Sequence, residues 1–223
     1  MAPNSTRASN DVIETEADIA KGIRALRRRC PVMRKVHDAT GAPPLRRRPP
    51  GFPGLVRIIV GQQVSVASAA AIWSRCETVI KPMQARTITS LDDDALRSAG
   101  LSRPKIKTLR AVSEAVIAKR LILKPSRQMT DNEIHDALTA VSGIGPWTAD
   151  LYLLACLGRP DTFAAGDLAL QVSAQHAFEL HERPTADELL VLAEAWRPWR
   201  AVAARLLWSY YQIVKDQKSG MPV

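Results

Sequence analysis

A short glycine-containing segment, Ser142-Gly143-Ile144-Gly145-Pro146, is the part of this 223-residue sequence best suited to hold an anion. Glycine lets the backbone come close to a ligand, and Pro146 stands where the first residue of a helix tolerates a missing N–H. The unpaired N–H groups and partial positive charge of such a helix N-terminus suit a phosphate. An isolated Gly-x-Gly is also typical of a corner that only packs two helices, so both interpretations stay open.

Helices are predicted on both sides of this segment. Thr130 and Glu133 form a capping-box pattern, and apolar residues then recur at helical spacing. The sequence TADLYLLACL, after Pro146, predicts the second helix. A loop follows, and Asp167 stands at the start of a further predicted helix that its carboxylate can cap. The order of elements is that of a helix-hairpin-helix followed by an aspartate.

Two adjacent amides stand at another predicted helix junction, in Gly61-Gln62-Gln63-Val64, and Ser65 can cap the helix that follows. The glutamines can tie the two helices together by bonding to neighbouring carbonyls. Alternatively, a side chain that projects here can fill the hole left when a nucleotide leaves the DNA stack. On the second interpretation, Gln62, Gln63 and Ser65 contact DNA.

The charge of the chain favours an anionic partner. Its formal net charge is +9, and nucleic acid is the commonest anionic partner of such proteins. The segment SRPKIKTLR places Arg103 and Lys105 at a predicted helix start, where positive charge opposes the helix dipole and a phosphate would offset it. A solvated basic face explains these residues equally well.

Several other classes of protein are disfavoured. No apolar run approaches the roughly 20 residues of a membrane-spanning helix, and no signal-peptide pattern is found at the start. Three scattered cysteines argue against a disulfide framework or a four-cysteine cluster, and the four histidines lack metal-ligand spacing. We therefore expect an intracellular protein, in the bacterial cytoplasm with the nucleoid or in a eukaryotic nucleus.

Helical periodicity recurs along the chain, and no segment alternates convincingly with a period of two, so the predicted fold class is all-α. Helix starts are predicted at Thr15, Ser65, Ser90, Thr130 and Pro198. We expect two lobes, one from the middle of the chain, about residues 60–160, with the helix-hairpin-helix at 131–157, and one from both ends. Residues 1–14 are predicted to be a flexible tail before a folded region at 15–223.

These segments together resemble the 3-methyladenine DNA glycosylase II branch of the helix-hairpin-helix superfamily, named HhH-GPD for its hairpin, Gly/Pro-rich loop and Asp. The resemblance covers most of the chain, from Cys30 to Gln212. It runs through PPGFPGLVRIIVGQQVSVASAAAIW, GLSRPKIKTL, VSGIGPWTADLYLLA, FAAGDLALQ and AWRPWRAVAARLLW. It implies the HhH-GPD DNA glycosylase fold, in which two helical lobes enclose a cleft. The chain looks like the short form, without the N-terminal sheet domain of some members.

The resemblance implies that Asp167 is the catalytic carboxylate. Breaking the bond between a damaged base and its sugar builds positive charge on the sugar, which a fixed anion stabilises. The same carboxylate can orient water. Asp150, in the second hairpin helix, and Asp161, in the following loop, compete for this role, but neither stands at the family's position.

The resemblance also implies that Trp147 and Trp208 line the base pocket. Members that cut the DNA strand carry, at the place of Trp147, a lysine that forms a Schiff base, and an indole cannot do this. An aromatic face attracts the electron-poor, often cationic ring of an alkylated purine. A monofunctional hydrolase without lyase activity is therefore expected.

The remaining implied contacts are with DNA and with a cation. Gln63 takes the place of the intercalating wedge, and the N–H groups of Gly143 and Gly145 would bind a phosphate. Family members often hold a monovalent cation with hairpin carbonyls, here those of Thr139, Val141 and Gly143, and no other cofactor is expected.

The resulting prediction is a monomeric base excision repair enzyme that flips alkylated bases out of double-stranded DNA and hydrolyses their N-glycosidic bonds. The expected substrates are 3-methyladenine and, secondarily, 7-methylguanine, and no membrane partner is expected. Two alternatives stay open. A non-catalytic DNA-structure binder could use the same hairpin, although Asp167 and the tryptophans would then have no role. The same class of enzyme could instead act on uracil, hypoxanthine or etheno-adenine, since pocket shape sets that choice.

Overall fold

The computed structural model describes residues 12–126 and 128–219, and every regular element among them is helical. The described α-helices, in chain order, are α1 (Glu16–Arg29), α2 (Pro31–Thr40), α3 (Phe52–Gly61), α4 (Val66–Val79), α5 (Ala85–Ser90), α6 (Asp93–Ser98), α7 (Arg103–Ile117), α8 (Asp131–Thr139), α9 (Pro146–Leu151), α10 (Leu168–Ala177), α11 (Ala186–Ala193) and α12 (Arg200–Ser219). A π-helix (Tyr152–Leu157) continues α9, and a 3₁₀-helix (Glu194–Trp196) follows α11. The all-α prediction is confirmed.

Side-chain caps fix where several of these helices begin. Thr15 forms a capping box with Asp18, and Thr130 forms one with Glu133, so both predicted starts are correct. The predicted start at Ser90 is wrong, because Ser90 ends α5 and the Asp92 side chain caps α6. The final helix likewise begins at Arg200 rather than at Pro198.

The buried apolar side chains form two clusters. One is built from the middle of the chain and includes Leu55, Leu109 and Tyr152. The other combines residues from near both ends and includes Ile19 and Leu206. Trp147 and Leu151, on α9, pack against both clusters. The second helix of the hairpin therefore lies where the two clusters meet.

The helix predicted over TADLYLLACL changes its winding part-way. It is α-helical as far as Leu151 and then a π-helix that ends at Gly158, which has φ of 73°. Tyr152 stands at the change and is fully buried. Its hydroxyl accepts the Gly51 N–H at 2.8 Å and donates to the Leu123 carbonyl, which ties the start of the π-helix to two distant segments of its own cluster.

The predicted flexible tail, residues 1–14, overlaps the described part of the chain only from residue 12 onward. Residues 1–11 lie outside the described part of the chain. Ile13 is 1% exposed, and its N–H donates to the Gly158 carbonyl at 2.8 Å. Ile13, which lies within the predicted tail, is therefore packed against the loop that follows the π-helix. No helix among the described residues is both long enough and apolar enough to cross a membrane.

Candidate active site

Asp167 stands at the N-cap of α10, as its position before an apolar helix predicts. Its Oδ1 accepts the Ala169 N–H at 3.0 Å and the Leu170 N–H at 3.2 Å. These bonds satisfy two of the backbone donors that a helix N-terminus leaves unpaired. The half-buried carboxylate is thereby fixed in position by the backbone of the helix that it caps.

The indole groups of Trp147 and Trp208 both bind this carboxylate. Trp147 Nε1 donates to Asp167 Oδ2 at 2.9 Å, and Trp208 Nε1 donates to Oδ1 at 3.1 Å. Trp147 lies in the first turn of α9 and Trp208 lies in α12, which packs on α10. The structure thus brings together the three residues that the resemblance assigns to catalysis and the base pocket.

The donors that surround Asp167 are neutral. Two are backbone amides and two are indole N–H groups, and no ion pair involves Asp167 within residues 12–126 and 128–219. The carboxylate is therefore held in place without being neutralised, which is what electrostatic stabilisation of a cation requires. From donors in the described part of the chain, Oδ1 accepts three hydrogen bonds and Oδ2 accepts one. Oδ2 therefore has more free lone-pair capacity to bind a water or a sugar.

The two competing aspartates have different surroundings. Burial raises the pKa of Asp150 to about 7, and its Oδ1 lies 3.8 Å from His135 Nε2, across the hairpin. Asp161 forms ion pairs with Arg197 and with Arg200, whose Nε lies 2.9 Å from the carboxylate. Asp161 is therefore neutralised by two guanidinium groups, and Asp150 contacts the other helix of the hairpin, whereas both indole N–H groups bind Asp167.

The two hairpin glycines have different structural requirements. Gly143 has φ of +87°, and a Cβ there would lie 1.9 Å from the Thr108 hydroxyl of α7. This position therefore requires glycine for packing and for its backbone conformation. Gly145, which precedes α9, is exposed, and apart from its chain neighbours no atom of the described residues lies within 4 Å of a Cβ placed on it. The hairpin backbone is therefore approachable from the side of Gly145.

The carbonyls predicted to hold a cation lie in the same turn. The Val141 carbonyl accepts the Ile144 N–H at 3.0 Å, which leaves it one lone pair, while the Thr139 hydroxyl donates to the His135 carbonyl. No cluster of His, Cys, Asp or Glu in the described part of the chain could hold a metal ion. A cation at the hairpin would thus be held by backbone oxygens, and this site stays a prediction.

The junction between α3 and α4 separates the roles of its two glutamines. Gln62 Nε2 donates to Thr148 Oγ1 of α9 at 2.8 Å. Gln62 therefore has a structural contact, but with a hydroxyl of the hairpin rather than with the neighbouring carbonyls that the structural interpretation predicted. Gln63 is exposed and has φ of +54°, an uncommon conformation for a residue other than glycine. The exposed Ser65 caps α4 by accepting the Ser68 N–H at 3.1 Å. Gln63 is the amide that projects.

The two basic residues predicted to contact DNA lie in opposite environments. Arg103 is exposed at the start of α7. Lys105 is only 8% exposed, and its ammonium donates to the Val60 carbonyl at 2.7 Å. Burial lowers the pKa of Lys105. Its predicted contact with a DNA phosphate is therefore replaced by an internal contact with the end of α3.

Comparison with known proteins assigns the chain to a family. The model of the HhH-GPD superfamily of base excision DNA repair proteins matches residues 56–200, which is more than half of the sequence. The chain belongs to this superfamily. It is similar to the DNA-3-methyladenine glycosylase 1 of Schizosaccharomyces pombe. The two sequences are 29% identical over 172 residues, which cover 75% of this chain and 75% of that protein.

Solved structures of HhH-GPD proteins share the fold. The 3-methyladenine DNA glycosylase of S. pombe in complex with abasic DNA superposes with a TM-score of 0.78 at 26% identity, covering 84% of this chain and 95% of that one. A DNA-3-methyladenine glycosidase from Bacillus halodurans gives a TM-score of 0.75 at 29% identity, covering 93% and 94%. The predicted family and fold are confirmed.

Two features of this HhH-GPD site were not predicted. The indole N–H bonds to Asp167 depend on three elements meeting, and residues 147, 167 and 208 are too far apart in sequence for periodicity to relate them. Thr148, which accepts from Gln62, is 2% exposed and carries no motif of its own. The unexplained pair of amides at 62 and 63 was the one available signal for this second link.

Proposed function

We propose that this HhH-GPD protein is a monofunctional DNA glycosylase that flips alkylated bases out of duplex DNA and hydrolyses their N-glycosidic bonds, with 3-methyladenine as its main substrate. The observation that carries the proposal is the Asp167 carboxylate, fixed by four neutral N–H donors, two of them from Trp147 and Trp208. The names of its relatives, which include DNA-3-methyladenine glycosylases, support the same reaction.

Asp167 would act on the sugar. As the bond from C1′ to the base nitrogen breaks, its electron pair leaves with the base and positive charge develops on the sugar. The unneutralised carboxylate stabilises that charge. A water bound at Oδ2 then forms the new bond to C1′, and its proton passes to the carboxylate and on to solvent. The products are a free base and an abasic site.

Trp147 supports hydrolysis rather than strand cleavage. Its indole nitrogen is not a nucleophile, and its N–H is already donated to Asp167. No Schiff base to the sugar can form at this residue, so the strand would remain intact after base release. This absence of lyase activity is part of the proposal.

The two tryptophans would also favour alkylated purines. Methylation at N3 of adenine or N7 of guanine gives the ring a positive charge, which an indole face attracts. It also makes the base a better leaving group, because the base departs as a neutral molecule. A carboxylate and two indoles are therefore suited to cationic bases, with 7-methylguanine as a second substrate.

Contacts with the DNA backbone would hold the substrate with little dependence on sequence. The exposed Gln63 would fill the space left by the flipped nucleotide, and Arg103 and the N–H groups around Gly143 and Gly145 would contact phosphates. A monovalent cation bound by the hairpin carbonyls would add positive charge there. We propose that one copy of the chain suffices, and that it acts with the genome in a nucleoid or nucleus.

Release of the free base tests the proposal directly. The protein is incubated with duplex DNA methylated by an alkylating agent, and with duplexes that carry a single uracil, hypoxanthine or etheno-adenine. We expect free 3-methyladenine by chromatography and a strand that breaks only after alkali. Binding to an abasic-analogue duplex without release of any base would instead support the non-catalytic alternative, and strand cleavage at neutral pH would contradict the hydrolytic mechanism.

A further inference from the structure

We propose that Lys105 is a positioning residue that holds the DNA-probing loop in place from behind. The wedge loop is defined here as Gln62–Ser65, between α3 and α4. The proposal rests on the proposed function, because it assigns Lys105 to the support of Gln63 rather than to any contact of its own with DNA. Lys105 would therefore govern how firmly Gln63 is held in the space that a flipped nucleotide leaves in the DNA stack.

The first support is an ammonium at the end of α3. Lys105 Nζ donates to the Val60 carbonyl at 2.7 Å, one residue before the glycine that ends the helix. The last carbonyls of a helix lack intrahelical partners and carry partial negative charge, so a cation is well placed there. The side chain is 8% exposed, and among the described residues its ammonium is bonded to a carbonyl rather than paired with a carboxylate. Burying an ammonium costs free energy unless it is hydrogen-bonded. The bond to the Val60 carbonyl offsets part of that cost and fixes the end of α3, where the wedge loop begins.

The second support comes from the hairpin. Gln62 Nε2 donates to Thr148 Oγ1 at 2.8 Å, and Thr148 is buried in the first turn of α9. The neighbouring residue, Trp147, donates to the catalytic carboxylate. The wedge loop and Asp167 are thus both bonded to the short helix α9. Thr148 holds the wedge loop, and Trp147 holds Asp167.

Gln63 depends on this frame because it has little support of its own. It is exposed and has φ of +54°, a conformation that the surrounding structure must maintain. A side chain that replaces a nucleotide in the stack can resist expulsion only if the backbone beneath it is fixed. Loosening either support should therefore weaken binding through Gln63, while leaving the chemistry at Asp167 to proceed once DNA is bound.

The test is a double-mutant cycle between Lys105 and Gln63. The variants Lys105→Met, Gln63→Ala and their combination are measured for binding to a duplex with a tetrahydrofuran abasic analogue, by fluorescence anisotropy. We expect Lys105→Met to weaken binding about fivefold to tenfold in the native background, and by less than about twofold when Gln63 is already alanine. The single-turnover rate of base release at saturating enzyme should change less than the dissociation constant does.

Lys107→Met is the matched control, because it removes the same charge from an exposed position on the same helix. Any loss of affinity it causes should be a salt-dependent phosphate effect and should add fully to that of Gln63→Ala. Additive effects of Lys105→Met and Gln63→Ala would overturn the proposal. So would a Lys105→Met protein that binds as tightly as the native enzyme.

Thr148 provides an independent second test if Lys105→Met affects folding. Thr148→Val removes the hydroxyl that accepts from Gln62 and should weaken abasic-duplex binding, again non-additively with Gln63→Ala. Thr148→Ser keeps the hydroxyl and should restore binding. Failure of Thr148→Ser to restore it, or additive effects of Thr148→Val and Gln63→Ala, would contradict the dependence of Gln63 on this frame. Base release by the unaltered protein is measured in parallel, so that failure of the proposed function is recognised separately.

Discussion

At the scale of single residues, the site is organised around one carboxylate. Asp167 both caps α10 and binds the two indole groups. The oxygen that caps α10 also accepts the Trp208 N–H, and the other oxygen accepts the Trp147 N–H. The indoles therefore do more than line a pocket. Their N–H groups fix the orientation of the carboxylate without reducing its net charge. In the proposed mechanism, the same two side chains would therefore serve both base recognition and catalysis.

Trp208→Phe tests this dual role, because it keeps an aromatic ring and removes one N–H donor from Asp167. Loss of a hydrogen bond to a charged group costs about 1.5–3 kcal/mol, so we expect the single-turnover rate of base release to fall by at least about tenfold. Affinity for an abasic-analogue duplex should stay within about twofold. Trp199→Phe, at a half-buried tryptophan that packs near Gly22, is the control and should keep the native rate. A native rate for Trp208→Phe would show that the indole N–H is dispensable.

At the scale of elements, the helix-hairpin-helix is a packing unit as well as a binding element. The close approach of Gly143 to Thr108 holds the hairpin against α7, and α7 also supports the end of α3 through Lys105. One helix thus positions both of the segments proposed to touch DNA. Asp150 and His135 add a polar contact between the two helices of the hairpin.

Gly143→Ala should destabilise the protein, because the new Cβ would lie 1.9 Å from the Thr108 hydroxyl and φ is +87°. We expect a loss of about 2–4 kcal/mol in the free energy of unfolding, measured with urea. Gly145→Ala is the matched control, since nothing described lies within 4 Å of its Cβ position, and its loss should stay below about 1 kcal/mol. Equal losses for the two variants would contradict the packing role of Gly143.

Asp150 should make stability depend on pH. Burial raises the pKa of Asp150 from 3.8 to about 7, so the folded protein holds this proton more tightly than the unfolded chain does. Its stabilising contribution is full below about pH 4 and is lost as the pH rises towards 7. Asp150→Asn should therefore gain about 2–3 kcal/mol relative to the native protein between pH 5 and pH 8 in urea unfolding. Asp136→Asn, at the exposed neighbour of His135, should not, and parallel curves for Asp150→Asn and the native protein would refute the raised pKa.

At the scale of the whole molecule, the site lies where the two buried clusters meet. Trp147, on α9, packs against both clusters, whereas Trp208 and α10 belong to the cluster built from near the chain ends. The carboxylate is consequently assembled from elements that are far apart in sequence. With a net charge of +9, the molecule has the sign needed to attract DNA.

Local chemistry explains which features the sequence could predict. Capping residues such as Thr130, the Gly143-to-Pro146 hairpin and the position of Asp167 before α10 are visible over a few residues, and the structure agrees with them. The predicted contact of Lys105 with DNA was wrong, because the sequence does not show that the carbonyl end of α3 packs against the start of α7 and accepts from this ammonium. The meeting of Trp208 with Asp167 likewise depends on packing between α10 and α12, which only the folded chain reveals.

The most direct test of the central claim is single-turnover release of 3-methyladenine by Asp167→Asn. Asparagine is also a good N-cap, so α10 and the overall fold should be retained, and affinity for an abasic-analogue duplex should stay within about threefold. We expect the rate of base release to fall at least about a thousandfold, because the neutral amide cannot stabilise a cationic sugar. A rate within about tenfold of the native enzyme, with folding and DNA binding intact, would contradict the assignment of Asp167 as the catalytic anion.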